Sequence, residues 1–419
     1  MTMATAAPKD GFRLSMLVYD TRYRAVSIQI FVLALVLAAI WWLGSNLQAN
    51  LEAKGRPLSF NFLWSRAGYD IGQTFIPYTN DSTHFRAMLV GLLNTLVLAF
   101  FGCIFATLIG GTVGVLRLSK NWLVALLMTI YVEIFRNIPL LLWILLIFVP
   151  LYEMTPSPNA FKLTDEMIAT GTEPAASMIL GGSVAITNRG TYIPGFLFDR
   201  GFEAGWMTTV AIFVIIAGSL AVHLTLNARA RRVQEVTGAR PVTWWKSLIV
   251  LFVPLTVLLW TLGFHLDIPR PPTRFNFEGG VVLQNPFVAM LVALSLYTGA
   301  FIAEIVRAGI LAVSSGQTEA AYALGLRPNR TMNLVVLPQA LRVIIPPLIS
   351  QFLNLTKNTS LGIAASYADL RGTLGGVTLN QTGREVEAML LMMLIYLSIS
   401  LTISTLMNVY NRSVQLKER

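Results

Sequence analysis

The chain alternates long apolar runs with polar segments. A helix that crosses a membrane needs about 20 apolar residues, and eight runs approach or exceed that length. They lie near residues 26–46, 87–116, 122–152, 204–226, 247–264, 286–313, 338–355 and 386–410. The first follows a basic tail but is too long for a signal peptide, so we expect a retained anchor. The pattern predicts an all-α integral membrane protein with about eight transmembrane helices.

Composition agrees with a membrane location. Hydrophobic residues make up 55% of the chain and charged residues 12%, against about 25% charged residues in soluble domains. The formal charge of +10 raises nucleic acid as a partner, but most basic residues flank apolar runs and suit lipid headgroups. We therefore expect a lipid bilayer, and no nucleic acid, as the partner of these basic residues. One cysteine and three scattered histidines argue against an internal disulfide or a metal site.

The distribution of Lys and Arg predicts the orientation. An even number of spans puts both termini on one side, and that side carries more Lys and Arg in its loops than the other. Such an excess marks the cytoplasmic side. We expect a multi-pass protein with both termini in the cytoplasm. The polar segment at about 314–337 should face the cytosol as well.

Connector lengths divide the chain into a core and additions. Residues 1–86 hold a tail, the anchor helix and an outer loop, and 87–152 form the first part of the core. An insertion at 153–285 adds an outer loop and two further spans. The second part of the core covers 286–410, and 411–419 form a cytoplasmic tail. The Gly- and Pro-rich stretch at 155–200 predicts irregular structure with some short strands.

The polar segment at 314–337 contains a predicted short helix. Residues 319–325 read Glu-Ala-Ala-Tyr-Ala-Leu-Gly, in which helix-forming residues precede a glycine that suits a helix C-terminus. Pro338 suits the first turn of the next helix, where a missing N–H has no cost. An interfacial helix with no docking role would have the same pattern, and helix physics alone does not separate the two interpretations.

The same residues carry a family resemblance. Glu-Ala-Ala at 319–321 is followed by Gly325, Val335 and Leu337-Pro338 at the spacing that is typical of ABC-importer permeases. The segments at 131–141, 303–310, 315–317 and 357–361 resemble the polar amino-acid branch of that family, which serves histidine, glutamate, glutamine, arginine and opines. The chain length and the two-span insertion resemble the long permeases of general L-amino-acid transporters.

The resemblance implies a five-helix core of the type I importer fold in a bacterial inner membrane. It implies a transporter subunit for polar L-amino acids rather than an enzyme. Its expected partners are a cytoplasmic ABC ATPase dimer, a periplasmic amino-acid-binding protein and a second permease, with a heterodimer favoured over a homodimer. ATP and Mg²⁺ would bind the ATPase, and no cofactor would bind this chain. Its sequence has no P-loop motif. The resemblance assigns ATPase coupling to Glu319, Ala320, Ala321, Gly325, Leu337 and Pro338.

Charged residues within the apolar runs form a second set of candidates. A charge at a helix centre that faces lipid costs about 2.5–3.5 kcal/mol, so these groups should face protein or water. Glu133 and Arg136 are three residues apart and can pair, and Glu304 and Arg307 repeat that spacing. They are either structural ion pairs or, with Asn137, part of a substrate path. Pro139 should kink or break its helix beside them.

A polar group near the outer end of a later span has two interpretations of its own. Lys357, Asn358, Thr359 and Ser360 are candidates for the substrate path, but a lysine that extends to the interface among polar neighbours explains them equally. Pro346-Pro347 should distort that span, unless the pair serves packing. An ion-coupled secondary carrier is the alternative function, in which buried Glu and Arg would couple transport to an ion gradient.

Overall fold

A computed structural model describes residues 21–162, 167, 173–198, 205–239, 241–272 and 275–414. The ends at 1–20 and 415–419, to which the charge pattern assigns a cytoplasmic location, lie outside these residues. The longer helices are α1 (Thr21–Ala53), α2 (His84–Leu116), α3 (Trp122–Asn137), α4 (Leu140–Glu153), α5 (Gly205–Thr237), α6 (Trp244–Thr261), α7 (Asn285–Leu311), α8 (Ser315–Ala323), α9 (Leu337–Asn358) and α10 (Glu385–Val414). The strands are β1 (Ala185–Thr187), β2 (Gly190–Ile193), β3 (Gly195–Phe198), β4 (Phe264–Asp267) and β5 (Val281–Leu283).

The predicted helical membrane fold is confirmed. Among the described residues, seven helices are long and apolar enough to cross a membrane, or eight if α3 and α4 form one broken span. These two helices meet at a bend of 103°. Ile138 and Pro139 lie at the break, because a proline provides no N–H for the helix and restricts the residue before it. The predicted break at Pro139 is therefore confirmed.

Helices α2 and α7 form the closest contact of the core. A Cβ atom on Gly110 of α2 would lie 2.6 Å from Cβ of Ile302 and 2.7 Å from the carbonyl oxygen of Gly299, both on α7. One turn further on, a Cβ on Gly114 would lie 2.7 Å from the carbonyl oxygen of Ala303. Small residues allow close backbone approach where lipid provides little hydrophobic drive for association.

The chain enters α9 through an irregular helical stretch. A short helix at Pro328–Thr331 and a π-helical turn at Met332–Val336 precede α9, and a 3₁₀ turn at Thr359–Ala365 follows it. Pro338 lies in the first turn of α9, where its missing N–H favours a wider turn just before it. Helix α9 continues through Pro346 and Pro347, so neither proline ends it.

The insertion places its strands at one end of the helical bundle. Strands β1, β2 and β5 form an antiparallel sheet, and β3 pairs with β4. The side-chain amide of Asn285, at the start of α7, donates to the carbonyl oxygens of Leu151 at 3.1 Å and Thr187 at 3.0 Å. We call this end the strand end and the opposite one the α8 end. The predicted strands at 155–200 are present, and β2 and β3 also pair with strands that follow both additional helices.

Two parts of the fold pack little against the core. Helix α1 is exposed along its apolar length, and α5 and α6 pack mainly against each other. Helix α5 also continues 11 residues past the predicted span end at Leu226. In a membrane, such faces contact lipid or other subunits.

Gly110→Ala tests the close contact between α2 and α7. We expect a loss of about 1–3 kcal/mol in unfolding free energy, because the added methyl group overlaps atoms of α7 that cannot rotate away. Thermal unfolding of the purified chain in detergent can be followed by the reaction of the single Cys103 with a thiol-reactive dye. Gly111→Ala is the matched control, since its Cβ meets nothing within 4 Å. Equal unfolding curves for the two variants would contradict this account of the contact.

Candidate functional site

Helix α8 ends in a well-defined capping motif. Gly325 has φ +77°, and its N–H donates to the carbonyl oxygen of Tyr322 at 2.9 Å. The N–H of Leu326 donates to the carbonyl oxygen of Ala321 at 3.1 Å. This pair of bonds is the Schellman motif, which needs a left-handed residue after the helix and so favours glycine. The predicted stop at Gly325 is confirmed, and the helix begins four residues before Glu319.

The motif residues of α8 have different surroundings. Ala321 is buried, whereas Glu319 and Ala320 are exposed. Leu324 has 82% of its surface exposed and Tyr322 49%, although both are large and apolar. Exposed apolar groups beside a charged one are typical of a surface that another protein covers. The sequence analysis missed Tyr322 and Leu324, which stand beside the Glu-Ala-Ala motif.

The start of α9 contacts α8 from one side. Gln339 of α9 lies 3.4 Å from Gln317 of α8 through their amide groups. Leu337 and Pro338 are exposed at the start of α9. They follow the π-helical turn. The last two residues of the motif therefore begin the membrane span that follows α8.

Glu304 forms the centre of a group of charges between three helices. Its carboxylate pairs with Arg117 after α2, with Arg136 of α3 at 3.6 Å and with Arg307 of α7 at 3.4 Å. The Arg117 side chain is only 7% exposed, whereas those of Arg136 and Arg307 are 35% and 38% exposed. Arg136 also lies over the ring of Phe301 at 5.4 Å. One carboxylate therefore faces three guanidinium groups.

The structure supports only one of the two predicted local ion pairs. Glu304 and Arg307 pair as their spacing predicts, but Arg136 contacts Glu304 instead of Glu133. Glu133 is exposed and accepts a hydrogen bond from the side-chain amide of Asn137 at 3.2 Å. Arg117 was not predicted, because 187 residues separate it from Glu304 and no local spacing connects them.

The polar group at the end of α9 has no common face. Lys357 is exposed and has no acidic partner among the described residues, and Asn358 is partly buried. Thr359 is fully buried, and its hydroxyl donates to the carbonyl oxygen of Thr356 at 2.9 Å. The Ser360 hydroxyl donates to the carbonyl oxygen of Lys357 at 2.7 Å. The two hydroxyl groups thus serve the local backbone, and Lys357 alone presents a charge.

A buried carboxyl group organises the connector between α9 and α10. Asp369 is fully buried and caps a helical turn by accepting from the backbone N–H of Gly372 at 2.8 Å. Its other oxygen accepts from the Tyr396 hydroxyl of α10 at 3.3 Å. Burial raises the pKa of Asp369 from its ordinary value of 3.8 to about 7, and the Gly372 hydrogen bond opposes that rise.

Polar groups of α2 attach this connector to the strand end of the core. The Asn94 amide donates to the carbonyl oxygens of Gln73 and Ala368, each at 2.8 Å. The Thr95 hydroxyl accepts from the backbone N–H of Leu370 at 3.1 Å. Sequence analysis did not single out Asp369, although an aspartate before a helical turn is a known capping signal.

Glu304→Gln tests whether one carboxylate holds the three arginines together. We expect a loss of about 1–3 kcal/mol in unfolding free energy, because the nearly buried Arg117 loses its counter-charge. Thermal unfolding in detergent measures the effect. Glu133→Gln is the matched control on an exposed face and should change little. Adding Arg117→Gln to Glu304→Gln should restore part of the loss, and independent additive effects would contradict the pairing.

Asp369→Asn tests the raised pKa in the connector. A carboxyl whose pKa rises on folding contributes stability that is full below about 3.8 and is lost as pH rises through about 7. The melting temperature of the unmodified protein should therefore fall between pH 4 and pH 8 by more than that of the variant. Asp70→Asn, at an exposed position, should keep the unmodified pH profile. Parallel profiles for Asp369→Asn and the unmodified chain would contradict the assignment.

Comparison with known proteins places these features in a family. Residues 230–416 match the family described as "Binding-protein-dependent transport system inner membrane component". The glutamate/glutamine/aspartate/asparagine transport system permease protein BztB of Rhodobacter capsulatus is 62% identical, with 100% of both chains covered. The general L-amino acid transport system permease protein AapQ of Rhizobium johnstonii is 42% identical over 98% of this chain and 96% of its own length.

A shorter relative aligns with part of the chain. The glutamate/aspartate import permease protein GltK of Escherichia coli O157:H7 is 29% identical over 50% of this chain and 98% of its own length. Together with the two long relatives, this favours an ABC permease over an ion-coupled carrier. The chain belongs to the family of amino-acid ABC transporter permeases, multi-pass proteins of the inner membrane.

Proposed function

We propose that this permease subunit imports polar L-amino acids, with glutamate, glutamine, aspartate and asparagine as the leading candidates. The proposal rests on the full-length similarity to BztB, whose name states those four substrates. A periplasmic binding protein delivers the amino acid, and a second permease, different from this chain, completes the path. ATP and Mg²⁺ bind a separate ATPase dimer.

The exposed surface of α8 is the observation that carries the coupling role. Glu319, Ala320, Tyr322 and Leu324 together offer a charge, a small residue and two apolar groups at the end of the bundle. Burial of the Leu324 side chain in a partner is worth about 1.5–3 kcal/mol. We assign the α8 end to the cytoplasm, as the Lys and Arg distribution predicts, so an ATPase can reach this surface.

The capping motif gives this surface a fixed direction. Gly325 reverses the chain immediately after α8, and the next residues lead through the π-helical turn into α9. A displacement of α8 by the ATPase therefore acts on the base of a membrane span through fewer than 15 residues, about four helical turns. Short helical connections of this kind transmit movement better than a flexible loop.

The charges around Glu304 are suited to an acidic substrate. Three guanidinium groups face one carboxylate, and Arg136 and Arg307 remain about a third exposed. A substrate carboxylate that reaches them would gain charge-assisted hydrogen bonds. We include Glu304, Arg307, Arg136 and Lys357 in the substrate path, whereas the buried Thr359 is a structural residue. Glu133, Asn137, Asn358 and Ser360 remain candidates at its edge.

Gly325→Val tests coupling through α8. A β-branched residue is strained at φ +77°, so the capping motif should open and α8 should lose its direction. We expect more than about a tenfold loss of ATPase co-purification and of glutamate uptake, which corresponds to about 1.4 kcal/mol. The measurements are pull-down of the ATPase and uptake of labelled glutamate by whole cells that contain all subunits.

Two further variants separate the docking surface from general damage. Gly325→Asn is the matched control, because asparagine tolerates the left-handed conformation, and it should keep most of the uptake. Glu319→Lys leaves the helix intact but reverses an exposed charge and should also weaken ATPase association. Normal uptake by both Gly325→Val and Glu319→Lys would refute a coupling role for α8.

A further inference from the structure

Helices α5 and α6 line an open cavity of about 680 Å³ at the α8 end of the bundle. Its lining is mainly apolar, with a smaller polar part. His223 and Asn227 come from α5, Thr243 and Ser247 from the start of α6, and Leu248 and Leu251 complete an aliphatic wall. The cavity belongs to the two additional helices, so neither the coupling surface nor the charges around Glu304 use it.

Positive charge is in excess beside this cavity. Arg229, Arg231 and Arg232 are exposed on the part of α5 that extends past its apolar run. Among the described residues, none of these three arginines forms an ion pair. Arg231 lies one helical turn beyond Asn227 and so shares its face. Glu235 is the single acidic residue of this segment, which leaves an excess of positive charge.

The polar wall of the cavity contains hydrogen-bond donors that lack an acceptor. The Asn227 amide nitrogen lies 3.0 Å from Nε2 of His223, so Nε2 accepts and Nδ1 carries the proton. Nδ1 is shielded from solvent and has no acceptor among the residues that the structure describes. Thr243 makes no side-chain cap for α6, so the first-turn N–H groups of that helix also lack a side-chain acceptor. An anion that enters the cavity can accept from the first-turn N–H groups of α6, and also from Nδ1 if the His223 ring turns away from Asn227.

The apolar wall of the cavity indicates that the anion is part of a lipid. The two helices are exposed along their apolar lengths, so Leu248 and Leu251 continue a surface that faces hydrocarbon. Trp244 is 68% exposed at the edge of the cavity, where an indole ring suits the headgroup region. A soluble anion would use the donors and leave the aliphatic wall uncovered.

We propose that this cavity binds one anionic phospholipid. Its phosphate contacts Arg231 of α5 and the start of α6, its acyl chains follow the aliphatic wall, and Arg229 and Arg232 add longer-range attraction. Basic residues near a membrane surface attract anionic lipid by about 1 kcal/mol each. The lipid fastens the α5–α6 pair to one leaflet, in a part of the chain that packs little against the core. The site is independent of the substrate and of ATPase docking.

Native mass spectrometry of the purified importer can test the site. The complete complex is titrated with phosphatidylglycerol and, separately, with zwitterionic phosphatidylcholine. We expect one phosphatidylglycerol to bind in preference to phosphatidylcholine. Arg231→Gln should weaken that binding about fivefold, and the triple Arg229, Arg231 and Arg232 replacement by Gln about a hundredfold. His223→Leu, or Asn227→Leu if the former fails to assemble, should weaken it without removing a formal charge.

Lys120→Gln is the matched control. Lys120 is exposed at the same end of the bundle but far along the chain from the cavity, so its removal should change lipid binding by less than about twofold. An effect of Lys120→Gln equal to that of Arg231→Gln would reveal general surface attraction and overturn the site. Unchanged binding in the Arg231 and His223 variants would overturn it too. Displacement of the lipid by millimolar inorganic phosphate would assign the cavity to a soluble anion instead.

Discussion

The close approach of α2 and α7 is the constraint on which the core depends. Gly110 and Gly114 leave no room for side chains against α7, and this proximity brings Arg117, one turn further along, to Glu304. Arg136 and Arg307 then complete the group of charges around the same carboxylate. Electrostatic contacts between these helices therefore follow from a steric condition, since larger residues at the two glycines would move the carboxylate out of reach.

Features that depend on neighbouring residues could be predicted from the sequence. Apolar run lengths located the spans, Pro139 located the break between α3 and α4, and Gly325 located the end of α8. Each follows from the backbone preferences of one or a few residues. Contacts between distant segments could not be predicted in this way. The pairing of Arg136 with Glu304 is an example, because Glu133 offered an equally good local partner.

The strand end and the α8 end are built by different means. At the strand end, buried polar groups of α2 bond to backbone atoms of the connector around Asp369, so that region is held by many directional contacts. The α8 end instead exposes apolar side chains on a short helix. The strand end therefore relies on interactions within the chain, whereas the α8 end leaves apolar surface that a further surface can cover.

The hydrogen bonds of Asn285 show where such a chain can accept an insertion. Because its amide lies 3.1 Å from the carbonyl oxygen of Leu151, the points where the chain leaves and rejoins the core are spatial neighbours. Extra sequence of any length can be spliced between them for only the modest entropy of closing a longer loop. A whole module can therefore be added or deleted at this junction with the main adjustment confined to its surroundings, such as the Asn285 bond to Thr187. Long and short permeases can thus share one scaffold.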